Sequence, residues 1–189
     1  MEWYTAAEKF NQALASTDPT PGGGAAAAMA AAMGCSLALM AAQTTHRRKT
    51  TAPEVKGRLE NAIHKLAALK TQLNHLIEED GAAYAAYVVA AKLPKENPTR
   101  FQAMQDALAY AARVPADTAT TAITCLRELD AIKEDIAPVI LSDIYCGQHL
   151  LKSAVRCSVE NIRANLAFIV NDELAEKLNK QIEHFLKSC

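Results

Sequence analysis

The run Pro21-Gly22-Gly23-Gly24 stands directly ahead of a long alanine-rich stretch. Three glycines at the start of a helix leave backbone N–H groups uncovered. Those groups, together with the helix dipole, favour an anion or a carbonyl oxygen. Bare backbone also lets a flat ligand approach closely. The same run serves equally well as a tight interhelix turn. It is neither a Walker A loop, which needs Gly-Lys-Ser/Thr, nor a dinucleotide fingerprint, which needs a preceding strand. Asp80 ends the triplet Glu78-Glu79-Asp80, after which the chain turns apolar at Gly81-Ala82-Ala83-Tyr84. An acidic run is ordinarily a solvated face. A carboxylate at the edge of a buried stretch instead has its pKa raised toward useful acid–base work. Asn161 and Asn165 are four residues apart, so on a helix their amides share a face. Such amides can read the edge of a heterocycle or bond across a helix interface. Asp143 can accept two hydrogen bonds from an amino-pyrimidine edge, or act as a capping acid. His46-Arg47-Arg48-Lys49 closes the alanine-rich stretch, where cations complement the helix dipole or clamp a carboxylated ligand. The five histidines are scattered, with no His-Glu-x-x-His or Ser-His-Asp grouping.

The elements that must hold these residues have helical period. Trp3 to Ala15 places Trp3, Phe10 and Leu14 at helical spacing, and the breaker-rich stretch from Ser16 to Gly24 ends it. The alanine-rich helix follows. Pro53 opens a third helix whose apolar positions run Val55, Leu59, Ile63, Leu66, Leu69, Leu73 and Leu76. This pattern continues to Leu93-Pro94, with Gly81 a plausible bend. Lys95 to Thr99 is a linker. A fourth helix is predicted from about Arg100 to Arg113 and a fifth from Pro115. A sixth starts at a Ser142-Asp143 cap and runs through Val170, and Asp172 caps a short last one. No window alternates with period two, so no sheet is expected.

Composition agrees. Of 189 residues, 38 are alanine, while aromatic residues make up only 5%. Alanine is the strongest helix former and is depleted in strands. An all-α, single-domain bundle over residues 1–189, of about six to seven mostly antiparallel helices, is therefore expected. The chain is too apolar for disorder, and a net charge of −1 gives no basic surface for nucleic acid. Ala25 to Ala42 is uncharged over 18 residues, the lower limit for a membrane span. Alanine contributes little to insertion, and Glu2, Glu8 and Asp18 stand where a signal peptide carries positive charge, so a buried helix fits better. Five cysteines without a Cys-x-x-Cys pair point to a reducing, cytosolic compartment, buried apolar thiols and no structural zinc.

Three segments together resemble the formimidoyltetrahydrofolate cyclodeaminase and methenyltetrahydrofolate cyclohydrolase family. The first is Ser16-x-x-Pro19-x-Pro21-Gly22-Gly23-Gly24 before an alanine-rich helix. The second is Asp80 followed, after a gap, by Ala91-Lys92-Leu93-Pro94-Lys95. The third is Ser142-Asp143 with Asn161-Ile162-Arg163-x-Asn165-Leu166. The resemblance covers essentially the whole chain. It implies an all-helical folate enzyme that forms a homodimer, with its site in a groove between helices. The family's acid–base carboxylate falls on Asp80 and its folate-facing glycines on Gly22, Gly23 and Gly24. Its basic pair falls on Arg48 and Lys49, preceded by a shared Thr45, and its Leu-Pro-Lys lysine on Lys95. Its later polar positions fall on Asp143, Asn161 and Asn165. The chain departs from the family at Ala25, where a serine is usual, at Gln43, and at Val139, where an asparagine is usual.

The implied substrate is a tetrahydrofolate derivative, with a glutamate tail for the basic cluster to hold. In cyclodeamination a ring nitrogen attacks a formimidoyl carbon and ammonia leaves. In cyclohydrolysis water attacks the methenyl carbon. Both need proton transfer and positioning, and neither calls for a metal, a covalent nucleophile or a cofactor beyond the folate itself. Two other readings compete. One is a helical dimer that binds folate or another flat anion without turnover, which Ala25 and Val139 motivate. The other is a structural interaction protein whose small residues serve packing alone.

Overall fold

The computed structural model describes residues 2–189. Among these the chain forms six α-helices, two short 3-10 turns and no strand. The helices are α1 (Glu2–Leu14), α2 (Gly23–Arg47), α3 (Pro53–Ala91), α4 (Arg100–Ile132), α5 (Leu141–Leu166) and α6 (Asp172–Lys187). Short connections make α2 to α5 an up-down-up-down bundle, in which α2 packs on α3 and α5, and α4 closes the ring against both. α6 lies against α5 and α4. α1 has no buried residue, and Trp3 is 86% exposed.

α2 is the centre of the core. By length and composition it could cross a membrane, but most of its apolar window is buried inside the bundle. Its buried residues are mostly alanine, with Gly24, Gly34, Cys35, Leu39 and Thr45 the others. Small side chains let neighbouring helices come close. The closest approach is between α2 and α5, where Gly34 meets Gly147. A Cβ on Gly34 would lie 2.8 Å from the Gly147 carbonyl oxygen, and one on Gly147 would lie 2.9 Å from the Gly34 carbonyl oxygen.

Four local expectations are corrected. First, α4 runs unbroken from Arg100 to Ile132 with Pro115 inside it. Proline removes one helical hydrogen bond. Here the freed carbonyl, that of Ala111, takes a donor from the Asn165 side chain at 3.2 Å, and the buried face on both sides of Pro115 keeps the helix going. Second, α3 is continuous through Gly81. Third, α5 starts at Leu141 without a side-chain cap and stops at Leu166, short of Val170. Gln105 of α4 intercepts the chain there: its Nε2 donates to Phe168 O at 3.1 Å, and its Oε1 accepts from Val170 N–H at 3.0 Å. Fourth, the cap of α6 is Asn171, whose Oδ1 accepts from Leu174 N–H at 2.9 Å, and Asp172 is the first helical residue. Of the five cysteines, all free, only Cys35 and Cys125 are buried.

Two glycine substitutions separate packing from propensity. Alanine favours a helix interior over glycine by about 1 kcal/mol. Gly57→Ala, on α3 with nothing near its Cβ direction, is expected to raise the melting temperature. Gly34→Ala forces α2 and α5 apart and is expected to cost on the order of 1–2 kcal/mol net, the overpacking loss exceeding the propensity gain. Thermal unfolding of both variants checks this, and a stabilised Gly34→Ala would contradict the close crossing.

Candidate active site

The first turn of a helix leaves its N–H groups without intrahelical partners, and a local Ser, Thr, Asp or Asn normally takes one of them. At α2 the capping position is Gly22, which has no side chain to do so. The partner comes from α3 instead. Asp80 Oδ2 accepts from Ala25 N–H at 2.9 Å, across 55 residues of sequence. Gly24 is what allows this, because a Cβ there would collide with Asp80 Oδ1. Ala25 stands where the resemblance implies a serine, but the contact uses the backbone N–H, so it needs no side chain there.

Two effects compete at the Asp80 carboxyl. The Ala25 N–H, at the positive end of α2, favours the charged form. Burial disfavours it and is the larger effect, so the pKa is raised above its ordinary value. The group is thus a carboxylate held in place by one oxygen, with no protein donor on Oδ1, and easier to protonate than an exposed aspartate.

Asp80 lies on the wall of a cavity of about 310 Å³. Gly22, Gly23 and Gly24 form one rim, and Asn161, Ala164 and Asn165 of α5 form another. Asn161 sits directly over the glycines: a Cβ on Gly23 would lie 3.3 Å from its amide atoms. Asn161 Nδ2 donates to Cys157 O at 2.9 Å, and Asn165 Nδ2 donates to Asn161 O at 2.9 Å as well as to Ala111 O. Tyr84, Tyr87 and Phe168 supply flat aromatic surface, and Leu108 and Ala111 of α4 complete the lining. A flat heterocycle bordered by polar atoms matches this mixture.

Of the residues singled out in the sequence, Gly22, Gly23, Gly24, Asp80, Asn161 and Asn165 meet at this cavity. Thr45, Arg48, Lys49 and Asp143 do not. They lie at the other end of the bundle, because α2 has 25 residues and at 1.5 Å each spans about 37 Å. Thr45 is buried there, and its Oγ1 accepts from Ala137 N–H at 3.1 Å. Arg48 is the C-cap of α2, and Arg48 and Lys49 are exposed. Asp143 is half-buried in the first turn of α5, and Val139 nearby is 73% exposed. Lys95 is exposed in the turn between α3 and α4, past the cavity end of α3. That turn is tied down by Arg100, whose guanidinium donates to Leu93 O at 3.1 Å and Ala91 O at 3.2 Å.

The aromatic wall was not singled out in the sequence. Its signal was present, since Asp80, Tyr84 and Tyr87 stand at i, i+4 and i+7 and so share one face of α3. Phe168 had no such signal, because its position depends on the Gln105 contacts.

The family model described as formiminotransferase-cyclodeaminase matches residues 6–184 of this chain. The formimidoyltransferase-cyclodeaminase of Mus musculus is 29% identical over 189 residues, covering 98% of this chain and 35% of that protein. The chain thus spans about a third of the length of that relative. The methenyltetrahydrofolate cyclohydrolase of Methylorubrum extorquens is 30% identical over 183 residues, covering 95% of this chain and 88% of that protein. Among solved structures, a formiminotetrahydrofolate cyclodeaminase from Thermotoga maritima superposes with a TM-score of 0.86 at 25% identity, covering 96% of this chain and 88% of that one. With the glycine-opened helix, its distant carboxylate cap and the facing asparagines in one cavity, these matches show that the chain belongs to the formiminotransferase-cyclodeaminase family.

Proposed function

We propose that this chain is an enzyme acting on the one-carbon bridge between N5 and N10 of a tetrahydrofolate. It either closes 5-formimidoyltetrahydrofolate to the 5,10-methenyl form with loss of ammonia, or opens the 5,10-methenyl form with water to 10-formyltetrahydrofolate. The observation that carries this reading is the half-buried Asp80 carboxyl, held on Ala25 N–H beside a glycine rim and an aromatic wall. The relatives named for each reaction support both forms. In the first reaction Asp80 takes the proton of N10 as it attacks the formimidoyl carbon, then returns it to the departing ammonia. In the second it takes a proton from water as the hydroxyl adds to the methenyl carbon, and delivers it to N5 as the N5–carbon bond breaks, while the remaining hydroxyl proton leaves to solvent as the formyl C=O forms. Its negative charge also stabilises the cationic methenyl carbon. A pKa raised by burial suits a group that must both accept and donate. The free thiols support a reducing, cytosolic setting.

We infer further that the working unit is a homodimer. The basic pair Arg48–Lys49 is too far from Asp80 along α2 to serve the cavity of its own chain. An antiparallel second copy would bring its Arg48 and Lys49 to the glutamate tail of a folate held by the first. The exposed apolar side chains Trp3, Tyr4, Val89 and Phe101 give such a contact apolar surface.

Asp80→Asn keeps an oxygen for Ala25 N–H but removes the proton carrier. Turnover should fall about 10²–10⁴-fold with folding intact, in assays run side by side on 5-formimidoyl- and 5,10-methenyltetrahydrofolate. Wild-type turnover on either substrate identifies the reaction, and an unchanged rate in Asp80→Asn would remove Asp80 from the chemistry. The pH dependence has a fixed sign. Because the folded pKa of Asp80 is raised, its burial weighs against the fold at neutral pH and not at pH values below the ordinary carboxylate range. Asp80→Asn should therefore melt at the same or a higher temperature than wild type at pH 7, with that gain vanishing in acid. A lower melting temperature at pH 7 would contradict the dominance of burial.

Mixing chains tests the shared site. Asp80→Asn and the double variant Arg48→Ala/Lys49→Ala are each expected to be weak alone. In a mixed dimer one site regains Asp80 from one chain and both basic residues from the other, so activity should rise on mixing. No rise in a demonstrated heterodimer would place the basic pair outside the site.

A further inference from the structure

Pro115 is fully buried in the middle of α4. Having no N–H, it leaves the carbonyl four residues earlier, that of Ala111, without a helical donor. A half-buried carbonyl left in this state has lost its helical donor and gains from a replacement. The Asn165 side chain does, with Nδ2 at 3.2 Å from Ala111 O and 2.9 Å from Asn161 O. Both partners are carbonyl oxygens, so the group facing them has to be the NH2 end of the amide. Its two N–H bonds are thereby used. The amide cannot turn over without breaking both and setting oxygen against oxygen. Asn165 Oδ1 has no protein partner, is not sealed from solvent, and belongs to a residue lining the Asp80 cavity. Asn161 is less constrained, with a single Nδ2 bond, to Cys157 O at 2.9 Å. Asp80, with Oδ2 engaged by Ala25 N–H, stands apart from this lock and serves the one-carbon bridge.

We propose that Pro115 is a positioning residue which, by freeing the Ala111 carbonyl, locks the Asn165 amide so that this side chain presents its oxygen rather than its N–H groups to the cavity, and thereby selects a ring edge that carries an N–H donor at that point. This rests on the folate reading for the identity of the ring: N3–H and the 2-amino group of a pterin form such an edge. An unconstrained asparagine turns to suit a donor or an acceptor. A locked one discriminates, because a ligand lacking the donors leaves its oxygen unpaired.

The test has two arms. In the first, Asn165→Ala, Pro115→Ala and the double variant are unfolded thermally. Asn165→Ala should lower the melting temperature in the native background. The loss should shrink in the Pro115→Ala background, where a backbone N–H at position 115 serves Ala111 O. Equal losses in both backgrounds would overturn the lock. In the second arm, binding of tetrahydrofolate is compared with that of its 2-desamino-2-methyl analogue. The native chain should prefer the amino compound roughly ten- to a hundredfold, and Pro115→Ala should narrow that ratio. A coupled unfolding cycle with an unchanged ratio would overturn the selection while leaving the folate reading standing. Binding of neither compound by the native chain would overturn the folate reading, and with it the ring assigned to the oxygen, while the unfolding cycle still decides the lock.

Discussion

The bond from Ala25 N–H to Asp80 Oδ2 organises this molecule around its cavity. α2 begins at a glycine that cannot cap it, and the donor left open is met by a side chain from the far half of α3. Everything nearby follows from that need. Gly24 has to lack a Cβ, and α3 has to run long enough to bring Asp80 level with the start of α2. The same bond sets the chemistry. It holds one carboxylate oxygen still, while burial makes the group readier to hold a proton.

Small side chains make this arrangement possible at the scale of the bundle. α2 is threaded between α3, α4 and α5 by alanines, and at Gly34 and Gly147 by backbone alone. The close crossing of α2 and α5 brings the last turns of α5 over the first turn of α2, so that Asn161 lies against Gly23. Core packing and the ligand-facing rim are therefore one structural feature. A substitution that separates the two helices would widen the cavity as well as loosen the core.

Much of the fold was legible because its signals are local. The leucine and isoleucine spacing of α3, the breakers before Gly22 and the alanine run each state a helix or its end. Asp80 was legible as the point where an acidic run meets an apolar one. What stayed hidden depends on partners distant in sequence. Pro115 looks like a helix start until Asn165 serves the Ala111 carbonyl. The end of α5 looks four residues later than it is until Gln105 takes the backbone of Phe168 and Val170. Where the basic cluster lies is also hidden, because sequence motifs carry no distances, and the length of α2 separates it from Asp80 within one chain. Alanine packing and the bare glycine rim, which look alike in composition, are distinguished only by what lies opposite: an α5 backbone in one case, a carboxylate and an open cavity in the other.

The proposed chemistry depends on burial outweighing the helix terminus at Asp80. It is tested most directly by following the Asp80 side-chain carboxyl carbon by NMR as pH is varied, with Asp80→Asn identifying the resonance. An ordinary aspartate titrates near about 3.9. A midpoint clearly above that value is expected. A midpoint at or below it would show that the Ala25 N–H and the α2 dipole win instead, leaving a carboxylate too acidic to carry protons in the proposed reaction.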